Sequence, residues 1–92
     1  MVEVNEYFEG KVKSFELETP EGKKTVGVME PGEYEFDVTA KEVMTVVTGE
    51  LMVFFAEDKE WDSFGPGSSF DVPENSVLQV KAETPTAYLC EY

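Results

Sequence analysis

Pro31-Gly32-Glu33-Tyr34-Glu35-Phe36-Asp37-Val38 is the clearest alternation in the chain. In an extended backbone Tyr34, Phe36 and Val38 fall on one side and Glu33, Glu35 and Asp37 on the other. That period of two marks a strand with one buried face. Pro31-Gly32 supplies the turn in front of it. On the N-terminal side, Thr19-Pro20-Glu21-Gly22 separates two strand-like stretches, 12–17 and 24–29. On the C-terminal side, Ala40-Lys41-Glu42 reads as a short connection into the β-branched run 43–47, and Thr48-Gly49-Glu50 as a tight hairpin turn into 51–56. Glu57-Asp58-Lys59-Glu60 reads as a polar loop. Further strands are expected at 61–64, 68–72, 77–81 and 86–92, separated by Gly65-Pro66-Gly67, Pro73-Glu74-Asn75 and Glu83-Thr84-Pro85.

No segment carries an apolar stripe at helical spacing, and turn signals recur instead. About nine or ten short antiparallel strands are expected, enough for two facing sheets in a jelly roll. The fold class is all-β, in a single domain over residues 1–92. Met52-Val53-Phe54-Phe55 lacks alternation, which points to burial on both faces or to a subunit contact. In so short a chain a homodimer that covers one sheet is the natural solution.

Twenty acidic residues against seven basic ones, all of them Lys, give a formal charge of −13. Such a surface repels nucleic acid and anionic membranes, and neither is expected as a partner. An anionic substrate has to be drawn in by local groups against the global field. The charges are interleaved with apolar residues rather than run together, and seven Phe, four Tyr and one Trp supply core bulk, so a folded domain is expected. The first residues lack a basic region followed by an apolar one, and no apolar run reaches bilayer length, so a cytoplasmic protein is expected. The single cysteine, Cys90, lies in the apolar run Ala87-Tyr88-Leu89-Cys90 and reads as a small buried hydrophobe.

The residues offer little standard catalytic equipment. There is no histidine, and therefore neither a Ser-His-Asp arrangement nor a thiolate paired with imidazole. No phosphate-binding Gly-rich loop and no Asp-rich calcium loop is present. Carboxylates are plentiful, but no pair stands out for glycosidase chemistry. Lys11 and Lys13 flank Val12 and share a face if that segment is a strand; they are either solvated edge lysines or a local anion site. Ser14, Thr45 and Thr48 offer hydroxyls. Tyr34, Phe36, Phe70 and Tyr88 offer flat apolar walls, as core or as a ligand platform.

Two spacings resemble the paired motifs of a cupin barrel: Glu42, six residues, Gly49; and Gly67, five residues, Pro73. In metal cupins the first block supplies two His and a Glu and the second one more His. Here Glu42 keeps the Glu position and the imidazoles are missing. Glu42 alone cannot hold a transition metal, so a metal-free cupin-type jelly roll without cofactor is expected.

Six runs then stand in order: Asn5-Glu6-Tyr7-Phe8 with Gly10-Lys11-Val12-Lys13-Ser14; Val26-Gly27-Val28-Met29; Gly32-Glu33-Tyr34 with Phe36; Glu42-Val43-Met44-Thr45-Val46; Phe70 with Val72-Pro73; and Tyr88-Leu89-Cys90 with Tyr92. Together they resemble the small pyrimidine/purine nucleoside phosphorylases, metal-free cupin-like proteins of bacterial cytoplasm. One position departs: Glu91 stands where that family often carries Arg. The resemblance implies phosphorolysis of nucleosides to free base and ribose 1-phosphate, with broad base tolerance. On that reading Lys13 or Lys11 holds phosphate with help from Ser14 and Thr45. Tyr34, Phe36, Phe70 and Tyr88 stack on the base, and Glu42 bonds the ribose hydroxyls or stabilises a developing sugar cation. The alternatives are a non-enzymatic, metal-free cupin that binds a small ligand or a protein partner, and a cupin isomerase acting on sugars.

Overall fold

The computed structural model describes residues 2–55 and 59–92. Ten strands follow one another without a helix among them: β1 (Glu3–Tyr7), β2 (Val12–Thr19), β3 (Gly22–Met29), β4 (Gly32–Val38), β5 (Glu42–Thr48), β6 (Leu51–Phe55), β7 (Glu60–Phe64), β8 (Ser69–Val72), β9 (Ser76–Ala82) and β10 (Thr86–Glu91). They form a six-stranded sheet in the order β1-β2-β3-β10-β5-β8 and a four-stranded sheet in the order β4-β9-β6-β7. Every pairing is antiparallel. Two facing antiparallel sheets are the expected jelly roll.

The alternation in β4 behaves as expected. Tyr34 and Val38 are buried and Phe36 half-buried, while Glu33, Glu35 and Asp37 are exposed. Inward residues of both sheets, among them Val12, Met29, Val46, Leu51, Val53, Val72 and Val80, make one core. In β6 Leu51 and Val53 are buried while Met52 and Phe54 are half-buried on the outer face. There Phe54 packs against Trp61, with ring centroids 5.4 Å apart. The end of the expected strand 51–56 and the start of the loop Glu57-Asp58-Lys59-Glu60 lie outside the described residues; Glu60 itself opens β7.

Three differences from the sequence reading bear on the site. Residues 3–7 form an additional edge strand, β1, paired with β2 from Glu3↔Glu16 to Tyr7↔Val12. Its polar sequence carries no alternation of its own and is held by backbone pairing. Lys11 lies in the turn before β2 rather than on the strand. Glu42 opens β5 rather than ending a connection, in register with Val72 of β8. By strand parity it therefore projects with Met44 and Val46 toward the space between the sheets.

Candidate active site

One end of that space is open, a cavity of about 790 Å³. Cross-strand register decides which residues line it. Asn5 pairs with Ser14, Ser14 with Gly27 and Gly27 with Tyr88, which gives one row across β1, β2, β3 and β10. Glu16 pairs with Thr25, Thr25 with Cys90 and Cys90 with Met44, which gives the next row, ending on β5. One pleat further along, Lys23 on β3, Tyr92 just past β10 and Glu42 on β5 follow. All of these except Gly27 border the cavity. The Tyr88 ring lies directly over Gly27: a Cβ there would sit 2.3 Å from Cζ and 2.4 Å from the phenol oxygen. Only a missing side chain on β3 lets Tyr88 reach across it toward Ser14.

The opposite end is aromatic. Phe8, Phe36 and Tyr7 border the cavity, with Phe8 5.5 Å and Tyr7 6.0 Å from Phe36, both edge-on. Phe8 and Glu9 have positive φ of 53° and 59°, an uncommon conformation for side-chain-bearing residues and one that recurs at functional sites. The turn they make carries Phe8 over Tyr34, 5.0 Å away.

The charged lining is mostly acidic: Glu16, Glu35, Asp37 and Glu42 against a single lysine, Lys23. Burial raises the Glu42 carboxyl above its ordinary value, and the Cys90 thiol, which donates to Oε1 at 3.8 Å, offsets part of that rise. Burial and the neighbouring Glu42 carboxylate push the Cys90 thiol up to about 12, so it is a proton donor and not a nucleophile. Burial likewise raises the phenols of Tyr88 and Tyr92. Tyr92 shares a hydrogen bond with Thr25 at 3.4 Å. The ligand set of a metal cupin is not assembled among the described residues. The chain has no imidazole, and among the described residues no three His, Cys, Asp or Glu side chains converge.

The whole of this frame recurs in known proteins. Residues 2–92 match the family model described as pyrimidine/purine nucleoside phosphorylase. Relatives of that name in Pseudomonas fluorescens and Tolumonas auensis are 52% and 51% identical over the full 92 residues, covering 98% and 99% of their own chains. The chain belongs to the pyrimidine/purine nucleoside phosphorylase family. A crystal structure of a Vibrio parahaemolyticus protein of unknown function superposes with a TM-score of 0.96 at 43% identity, over all of this chain and 98% of that one. A Cupin_2 domain from an Enterobacter cloacae transcriptional regulator, at 17% identity, matches with a TM-score of 0.69 over 89% of this chain and 97% of its own, and shows the cupin fold alone.

Of the residues singled out from sequence, the structure brings Glu42, Ser14, Phe36 and Tyr88 together around the cavity. The others stand elsewhere. Lys13 projects from the face of β2 opposite Ser14, half exposed, and pairs with Glu6 at 3.5 Å. Lys11 is exposed in its turn. Thr45 lies on the outer face of β5, its hydroxyl 2.7 Å from that of Ser69, and Thr48 is exposed. Tyr34 is a strut behind the aromatic end, its phenol donating to the Glu30 carbonyl at 2.6 Å. Phe70 continues the Cys90–Met44 row onto β8 but does not border the cavity; it packs against Phe64, 4.6 Å away. Glu91 is paired with Lys24 at 3.0 Å and does not border the cavity. The sequence reading did not single out Asn5, Glu16, Lys23, Thr25 or Tyr92 as site residues. Parity with Ser14 and with Cys90 was a signal for Glu16 and Tyr92; Asn5, Lys23 and Thr25 reach the site only through strand pairing.

Proposed function

We propose that this protein cleaves purine and pyrimidine nucleosides with inorganic phosphate, releasing the free base and ribose 1-phosphate. The observation that carries the reading is the full-length match to relatives bearing that name. The cavity supports it: its volume lies within the roughly 300–1,000 Å³ typical of small-molecule sites. It is aromatic at one end and polar at the other, as a flat base on a sugar requires. In the reaction the C1′–N bond breaks with its electron pair leaving on the base, and a phosphate oxygen bonds to C1′. Positive charge develops on the sugar between these events. Phe36, Phe8 and Tyr7 hold the base by its faces and edges, which is indifferent to base identity. Glu42 lies where an ionised carboxylate stabilises the sugar cation, and the hydroxyls of Ser14 and Tyr88 fall between. A panel of nucleosides incubated with and without phosphate, followed by chromatography, tests this. Free base should appear only with phosphate. Release without phosphate would indicate a hydrolase, and no release at all a non-enzymatic binding protein.

The same reading places the protein in the cytoplasm as a homodimer, with neither nucleic acid nor membrane as partner. Support for the dimer comes from the outer face of the six-stranded sheet. Val4, Phe15, Val26 and Leu89 form one cross-strand row, beside exposed Val28 and Val47. The ion pairs Lys13–Glu6 and Lys24–Glu91 flank this strip. Both signs on one face let two copies related by a two-fold axis match Lys to Glu, whereas the rest of a chain of charge −13 repels itself. Phe15→Glu is expected to shift sedimentation from dimer to monomer while the β circular dichroism stays unchanged. A wild-type monomer, or a dimer that survives the substitution, would refute this interface.

A further inference from the structure

Glu16 occupies a small anion site on the cavity wall. Its Oε1 accepts from Lys23 Nζ at 3.2 Å and from Asn5 Nδ2 at 3.5 Å. The Lys23 ammonium also stands 5.3 Å from the centroid of the Tyr92 ring, over its face. All four residues border the cavity, and Lys23 is the one cation among the described residues that does. The ammonium is oriented from two sides, by a carboxylate on β2 and an aromatic face after β10. Among the described residues its one ion-pair partner is that carboxylate, with Glu18, opposite Lys23 in the β2–β3 register, adding attraction.

We propose that Glu16 is a tethered stand-in for inorganic phosphate: phosphate binds at Lys23 and Asn5 in place of the Glu16 carboxylate, which swings away and thereby sets the affinity for phosphate. This rests on the nucleoside phosphorylase reading above and adds to it the position of the second substrate. A phosphate dianion brings more charge and more acceptor oxygens than a carboxylate, so it outcompetes Glu16 for the same donors. The exchange costs little on the protein side, because a half-exposed ion pair is weak. The placement suits the chemistry. Lys23 on β3 and Glu42 on β5 are separated by β10, about 10 Å at the usual strand spacing. That gap accommodates a ribose with phosphate on one side and the stabilising carboxylate on the other. The residual acidity of the lining has a use on this view: with phosphate absent, Glu16 neutralises Lys23 and keeps the site from collecting other anions.

Titration of inorganic phosphate into the folded dimer, followed calorimetrically, reads the site directly and without turnover. Lys23→Met should weaken phosphate binding by about tenfold or more, the size expected of a charge-assisted hydrogen bond. Glu16→Gln should strengthen it by about two- to fivefold, the size expected on removing an exposed competing pair. In the double variant the gain from Glu16→Gln should vanish, because no cation remains to be freed. The Michaelis constant for phosphate should follow the same order in the assay above. Unchanged phosphate affinity in Lys23→Met, or weaker binding in Glu16→Gln, overturns the inference. Wild-type protein that binds phosphate at Lys23 and yet releases no base would instead overturn the phosphorylase reading alone.

Discussion

Glu42→Gln is expected to lower phosphorolysis by about a hundredfold or more, the scale on which enzymes lose rate when a group aimed at transition-state charge is removed. The same substitution should raise the melting temperature at neutral pH. Burial raises the folded-state Glu42 carboxyl above its ordinary value of 4.5, and the Cys90 thiol only partly offsets this. The unfolded chain ionises at the ordinary value. Glu42 therefore costs nothing below that value, where both states are protonated. Its cost grows as pH rises from the ordinary value to the raised folded one, then levels off. Glutamine is neutral throughout, so its advantage should follow the same window and vanish under acid conditions. Thermal melts at neutral pH and well below the carboxylate range, run beside the assay, check both halves. A variant that keeps its turnover would remove Glu42 from the mechanism. A variant that melts lower at neutral pH would show that the carboxylate is satisfied where it lies.

Gly27→Ala should cost about 1–3 kcal/mol of stability, as overpacking a filled site does. For a domain of this size each kcal/mol lowers the melting temperature by about 4–8 °C. The new Cβ meets Cζ, the phenol oxygen and Cε1 of Tyr88 at 2.3, 2.4 and 2.8 Å. The ring is half of the contact and cannot bend, so it has to leave β3. Because Tyr88 forms a wall of the cavity, activity should fall by about tenfold or more with it, as a displaced positioning group implies. Gly65→Ala is the control: nothing lies within 4 Å of its Cβ, and a change within about 0.5 kcal/mol is expected there. A double cycle with Tyr88→Ala isolates the cause. In the Tyr88→Ala background the stability penalty of Gly27→Ala should largely disappear. If it persists, the clash is not its source.

The parts of the fold that were legible in the sequence are those where alternation and turn chemistry agree. The Tyr34-Glu35-Phe36-Asp37-Val38 pattern, preceded by Pro31-Gly32, is read correctly because each apolar side chain has the same parity and each acidic one the other. Residues 3–7 have no such signal, and the structure makes them a strand because β2 offers an unpaired edge. Glu42 was found from motif spacing, although its place on a strand was not, since glutamate is a poor strand former.

Lys13 shows where parity fails. Val12, Phe15 and Leu17 do not share one face: Val12 is fully buried while Phe15 and Leu17 are 42% and 37% exposed on the side that also carries Lys13. With apolar residues on both faces, the segment alone does not say which one points inward. The apolar strip on the outer face explains why: the sheet carries hydrophobic residues on both sides, one side in the core and the other exposed.

By itself the sequence determined that this chain is all-β, that it has no imidazole for a cupin metal, and that Glu42 holds the motif carboxylate position. These follow from local periodicity and residue identity, which need no partner strand. Only the tertiary structure decided that Glu42 meets Cys90 across 48 residues and that Thr25 meets Tyr92 across 67. It also decided that Lys23 rather than Lys13 faces the cavity. Those facts depend on strand order and register, which are set by how two whole sheets close over one core, and a one-residue slip would have reversed every one of them.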